Sequence, residues 1–165
     1  MLTIVEELHK EGINVVDQTV YMKPLMPKAG VLTKAKPSKE QMADILFGFD
    51  VAKQMGGLDI GQTVVVKDMA VMAIEAIEGT DACIKRGGAL GRGNAVVVKT
   101  AKPRQDVRFD VPAVGLTTIK SMLDSDCKIL AMEAERTIFV EQEEVLKLAN
   151  EKGLIICAVD GPDEE

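Results

Sequence analysis

Apolar positions recur along this chain with two spacings, helical and alternating, and each change of spacing predicts a change of secondary structure. Residues 2–10 put Ile4, Val5 and Leu8 on one helical face with Gly12 as a stop, so a short amphipathic helix and then a strand over 13–16 are predicted. Residues 22–37 hold three prolines and one glycine without a period, and read as an irregular loop. Ser38 and Gln41 match a capping box. The helix they open has the apolar face Met42, Ile45, Leu46, Phe49 and Ala52 and ends at Gly56-Gly57.

Residues 63–66 and 70–77 are β-rich and predict a hairpin across Lys67-Asp68-Met69. A tight turn prefers glycine where φ is positive, so a longer connection is expected there. Thr80 or Asp81 is expected to cap a short helix through Lys85-Arg86, ended by Gly87-Gly88. The remaining order is strand 95–101, helix 118–123, strands 128–132 and 137–140, helix 141–152, strand 154–159 and a frayed acidic tail, 161–165. Helices 41–54 and 145–152 each need a sheet to cover. The expected class is therefore α/β: a mixed β-sheet with helices packed on it, in a single domain.

Composition narrows the function. The chain has 165 residues, 47% hydrophobic and 28% charged, but only 3% aromatic and without Trp, so the core must be aliphatic. A net charge of −6 argues against nucleic acid as a partner. Cys83, Cys127 and Cys157 have no metal-binding spacing and read as buried small hydrophobes in a reducing compartment. No apolar run nears the roughly 18 residues of a membrane span, and the N-terminus lacks a signal-peptide pattern, so a cytoplasmic location is expected, with peripheral membrane contact open. The single histidine, His9, reads as a surface residue, which leaves no Ser/His/Asp or Cys/His arrangement.

Acids and cations concentrate between Glu75 and Pro112. Strand alternation puts Glu75 on the face of Val71, Ala73 and Ile77, where a carboxylate needs a cation or several hydrogen bonds unless it lies in water on an edge strand. Glu78-Gly79-Thr80-Asp81 adds two acids at a strand end, a magnesium corner or an ordinary helix cap. Residues 99–112 alternate Lys99, Lys102, Arg104 and Arg108 with Asp106 and Asp110. Phosphoryl transfer uses that mixture, and so does a surface salt-bridge network. The glycine-rich run 87–93 fits neither phosphate-loop pattern and reads as a flexible connector.

LDIGQTVVVKDMAVMAIEAIEGTDACIKRGG and VVVKTAKPRQDVRFDVPAVGLTTI, with GVLTKAKPSKEQMADILFGFDVAKQMGGLDIG upstream, resemble the C-terminal domain of the LpxI-type UDP-2,3-diacylglucosamine pyrophosphatases of lipid A synthesis, over nearly the whole chain. The resemblance implies water attack at the α-phosphorus of UDP-2,3-diacylglucosamine, a lipid-linked UDP-sugar, giving UMP and 2,3-diacylglucosamine 1-phosphate with Mg²⁺ or another divalent cation. It implies catalytic work by Asp106, Asp110, Arg108, Lys99 and Lys102, with Asp106 foremost, and substrate contacts from Thr80, Gln105, Arg104 and Lys85. Glu75, Glu78, Asp81 and Asp106 become the metal candidates. Family members pair this domain with a Rossmann-like N-terminal one, so residues 1–165 are expected to be the C-terminal catalytic domain, a homodimer, with part of the binding surface on the absent domain. The competing expectation is a non-catalytic dimerisation or lipid-docking domain.

Overall fold

The computed structural model describes residues 2–103, 106, 108 and 110–161. Helix α1 (Leu2–Lys10) forms as its periodicity predicts, but residues 13–16 are not a strand: Ile13 and Val16 are exposed and find no sheet to pair with. The expected loop 22–37 has more order than its prolines suggest. It follows helix α2 (Thr19–Met22), makes a 3-10 turn (Lys23–Leu25) and adds strand β1 (Gly30–Val31) to the edge of the sheet.

Helix α3 (Lys39–Gly57) starts at the predicted capping box: Gln41 N–H donates to Ser38 Oγ (3.2 Å), and Ser38 N–H donates to Gln41 Oε1 (2.8 Å). Ile45, Phe49 and Ala52 are buried, whereas Leu46, expected on the same face, is about half exposed. Strands β2 (Thr63–Lys67) and β3 (Ala70–Ile74) form the predicted hairpin, but through the tight two-residue turn rather than a longer one. Asp68 and Met69 both take positive φ (52° and 58°). The buried Asp44 carboxylate stabilises this by accepting from Asp68 N–H (3.0 Å) and Met69 N–H (2.6 Å).

Helix α4 (Thr80–Gly91) corrects two expectations at once. Its N-cap is Gly79, at φ 82°, not Thr80 or Asp81, and it runs through Gly87-Gly88 instead of stopping there. Those glycines are packing residues: a methyl on Gly87 would overlap the Val65 side chain, and one on Gly88 would meet Ser125. The run 87–93 is thus helix for most of its length, closed by Arg92 in the left-handed region, and not a flexible connector.

Strand β4 (Ala95–Lys99), strand β5 (Ala113–Val114), helix α5 (Leu116–Asp124), strand β6 (Cys127–Glu133), strand β7 (Ile138–Phe139), helix α6 (Gln142–Lys152) and strand β8 (Ile155–Val159) complete the order. The sheet runs β1-β8-β6-β4-β2-β3, with β4, β6 and β8 mutually parallel and β1, β2 and β3 making antiparallel pairs. Residues 137–140 contribute only the short β7, which pairs with β5 in a separate two-stranded sheet.

Side chains alternate across the main sheet, so Val64, Val66, Val96, Val98, Ile129 and Ile155 face α3. Val65, Val97, Leu130 and Ile156 join the core on the other face, with Ile84 of α4, Ile119 of α5 and Val145 of α6. The result is the expected mixed sheet with helices packed on it, three layers deep. Because β4, β6 and β8 are parallel, their C-terminal ends share one edge, where the starts of β1, β2 and α4 and the end of β3 also lie.

Candidate functional site

Parallel sheets bind ligands outside the C-terminal ends of their strands, and most of the chemistry-bearing side chains of this chain gather there. Lys99 closes β4 and is buried, 6% exposed. Its Nζ donates to Thr80 Oγ1 (3.2 Å) and to the Ala113 carbonyl (2.9 Å). The Thr80 hydroxyl in turn donates to Glu75 Oε1 (2.8 Å), and Glu75 Oε2 accepts from Gln62 N–H (3.3 Å). Burial lowers the Lys99 pKa below the usual ammonium value, while Glu75, Asp81 and Asp110 oppose that shift. Burial disfavours the charged form of this lysine, and the three acids favour it.

Glu75 is buried, 7% exposed, despite standing just past an edge strand. The alternation that put it with Val71 and Ile77 fails in the structure. A bulge shifts the register at Val65/Val66, so Val71 is exposed and Ala73 buried, and β3 ends before Ile77, which is fully exposed. Glu78 turns away from the network: it pairs with Arg86 at the surface (2.7 Å), and that hydrogen bond chiefly lowers its pKa. Asp81 accepts from the Ser121 hydroxyl (2.9 Å), tying α4 to α5. Lys85 is exposed further along α4.

On the loop after β4, Lys102 pairs with Asp59 (2.6 Å). Asp106 forms a two-pronged pair with Arg108, Oδ1 accepting from Nε (2.9 Å) and Oδ2 from a terminal guanidinium nitrogen (2.7 Å). That pairing holds the Asp106 carboxyl below its usual pKa and raises that of Arg108. Asp110 N–H donates to the Asp106 carbonyl (3.0 Å), so both carboxylates sit on one turn of chain. Arg104 and Gln105 lie outside the described residues. Among the described residues no three acidic, cysteine or histidine side chains come together as a ready metal cage.

Sequence reasoning missed the pair that fixes this loop. Glu133 closes β6 at 1% exposure, accepting from Lys53 Nζ of α3 (2.8 Å) and from Ala101 N–H (2.7 Å), while Lys53 also donates to the Ala101 carbonyl (3.1 Å). Both polar groups of the Ala101 peptide unit are thereby gripped at the start of the loop. The signal available was Glu133 itself, a carboxylate ending the apolar strand CKILAME. Also missed was a cleft of about 430 Å³ beside Asp110, between the 19–28 segment and the turn at Glu135-Arg136.

Residues 28–157 match the family described as the LpxI C-terminal domain. The chain is also similar to the UDP-2,3-diacylglucosamine pyrophosphatase LpxI of Caulobacter vibrioides, 37% identical across 95% of this chain and 59% of that protein. It therefore spans a little under three-fifths of the length of that curated relative. The match takes in α3, the sheet as far as Cys157 and every candidate residue above, and on this ground the chain belongs to the LpxI C-terminal domain family.

Proposed function

We propose that this chain supplies the hydrolytic wall of a UDP-2,3-diacylglucosamine pyrophosphatase of lipid A synthesis, in which water attacks the α-phosphorus to give UMP and 2,3-diacylglucosamine 1-phosphate. The observation that carries the reading is a buried lysine, Lys99, at the C-terminal edge of the sheet, bonded to Thr80 and through it to the buried Glu75, with Asp81 beside Thr80 on the first turn of α4. A diphosphate brings negative charge that grows on the leaving oxygen as the anhydride breaks. Lys99, held in place by Thr80 and the Ala113 carbonyl, meets that charge without reorganising. Glu75, itself held by Thr80 and Gln62, keeps Thr80 oriented.

Mg²⁺ suits the donors here, because it takes one or two carboxylates and leaves its other positions to water and phosphate. Asp106 and Asp110, on one turn, are the groups that would hold it. When bound it would neutralise phosphate charge and acidify a water. Arg108 keeps Asp106 ionised, and Lys102 extends the cationic surface toward the nucleotide, whereas Lys85 lies toward the opposite end of the sheet, beside Gly88, Gly93 and Asp126. The reaction proceeds in the cytoplasm against the inner membrane, where the lipid substrate is presented. Among the described residues no helix is long and apolar enough to cross a membrane.

The experiment uses the full-length parent protein with UDP-2,3-diacylglucosamine and Mg²⁺, following the uridine nucleotide released. UMP is expected, and Asp106→Ala or Asp110→Ala should lower kcat by about a hundredfold or more with the fold intact. Release of UDP would overturn the bond assignment. Normal turnover in both variants would favour a docking or dimerisation role for this domain.

A further inference from the structure

Glu133 is a costly residue for its place. A carboxylate buried at the end of an otherwise mostly apolar strand gives up its hydration, and an ion pair offsets that loss poorly: an apolar pair of similar volume would serve the fold as well. What the carboxylate does instead is directed at one peptide unit. The ladder between β4 and β6 has its last pair at Lys99 and Met132, so Ala101 lies beyond it. There Glu133 Oε2 accepts from Ala101 N–H (2.7 Å), while Lys53, bonded to the other carboxylate oxygen (2.8 Å), donates to the Ala101 carbonyl (3.1 Å). Two side chains thus carry on the work of the ladder where the strands have ended. Arg136 stands 3.8 Å from the oxygen that Lys53 binds, a second cation behind the first.

The stretch of chain that follows Glu133 holds the other end of the loop. Ile138 N–H donates to the Pro112 carbonyl (2.8 Å), β7 pairs with β5 directly beyond, and Lys99 Nζ donates to the Ala113 carbonyl (2.9 Å). Between these fixed ends, Asp106 and Asp110 share a turn closed by its own bonds, from Asp110 N–H to the Asp106 carbonyl and from Arg108 to the Asp106 carboxylate. Those bonds set the shape of the turn, and the ends of the loop set where it stands over the sheet. Placement matters to rate, since moving a reacting group by about 1 Å costs on the order of a hundredfold.

We propose that Glu133, with Lys53 as its counter-ion, is a positioning residue for the hydrolysis, holding Asp106 and Asp110 in place through the Ala101 peptide. The proposal rests on the reaction above and deepens it, because it assigns the buried ion pair to turnover rather than to cohesion of the sheet.

The test follows UMP release by the full-length parent protein, at a temperature where circular dichroism shows each variant folded. Glu133→Gln keeps the shape of the side chain but cannot serve both partners as an acceptor, and Lys53→Met removes the cation. Each is expected to lower kcat by about ten- to a hundredfold with KM changed by less than about threefold. The double variant should be no slower than the worse single one, since both act on one peptide. Lys53→Arg, which restores the cation, should return kcat to within about threefold of wild type. Asp44→Asn is the control for a merely structural carboxylate: Asp44 is also buried, but holds the β2–β3 turn at the opposite end of the sheet, and its loss should lower Tm and leave kcat unchanged. Wild-type kcat in folded Glu133→Gln, a change in KM alone, Lys53→Arg as slow as Lys53→Met, or an equal fall in Asp44→Asn would each overturn the assignment. The two proposals fail separately. A parent protein that releases UDP, yet slows by the expected factor in Glu133→Gln, loses the bond assignment and keeps the positioning role. Slow Asp106→Ala and Asp110→Ala beside an unimpaired Glu133→Gln keep the reaction and remove the positioning role.

Discussion

Three cysteines show how strongly burial sets chemistry at a single residue. Burial raises the Cys83 thiol to about 12 and those of Cys127 and Cys157 to about 11. Thiolate is the reactive form, so at pH 8 the folded chain should leave all three untouched by a disulfide reagent, and urea should release three equivalents. One fast equivalent before unfolding would show a thiol more accessible than the packing allows. Asp106 is the opposite case, half-buried and paired. Its pKa is depressed, first by the Arg108 hydrogen bond, so it stays ionised as pH falls through the ordinary carboxylate range and protonates only below it. If catalysis needs that anion, the acid limb of kcat/KM for the full-length protein lies below the ordinary range. Arg108→Gln should move the limb up in pH, and an unmoved limb would sever Asp106 from the rate. Such pairings were legible in the sequence only as composition. Spacing brought Glu75, Asp106 and Arg108 forward, but their partners depended on a bulge at Val65/Val66 and on the path of the loop, neither of which leaves a periodic trace.

At the scale of elements, glycines separate what periodicity could read from what it could not. Gly87 in α4 and Gly57 in α3 look alike in sequence, each at the presumed end of a helix, yet their surroundings differ. A Cβ on Gly87 would overlap Val65, whereas one on Gly57 meets nothing within 4 Å. Gly87→Ala should therefore lower stability by about 1–3 kcal/mol despite the better helix propensity of alanine, because overpacking outweighs it. Gly57→Ala should raise stability by roughly 0.5–1 kcal/mol. Urea unfolding of both variants checks the pair, and the same sign for both would show that propensity, not packing, decides at Gly87. The capping box, the hairpin and the order of strands were legible because each is a local pattern. The strand expected at 13–16 does not form: β1 and β3 make the two edges of the main sheet, and Ile13 and Val16 stay in solvent, an outcome their alternation does not reveal.

For the molecule as a whole, the site hangs from the most deeply buried part of the sheet. Every residue of β4 is buried, and β6 is buried except at Lys128, whereas β3 at the edge is mostly exposed. Lys99 ends β4, Glu133 ends β6, and Glu133 with Lys53 grips the Ala101 peptide, so the reactive loop starts from anchors on adjacent central strands. Local opening follows burial and contact density, which implies a gradient of stability from the sheet centre outward. Native-state hydrogen exchange should find the amides of β4 and β6 exchanging only through global unfolding, those of β3 sooner, and those of α1 and residues 13–18 first. Lys53→Met leaves the Glu133 carboxylate without its closest cation, Arg136 being 3.8 Å away, and should cost about 3 kcal/mol. If the central strands carry the global stability, that loss should appear as equally faster exchange throughout β4 and β6. A loss confined to the loop, with β4 unchanged, would mean that the grip on Ala101 and the cohesion of the sheet are separate, and that the site can loosen without the fold.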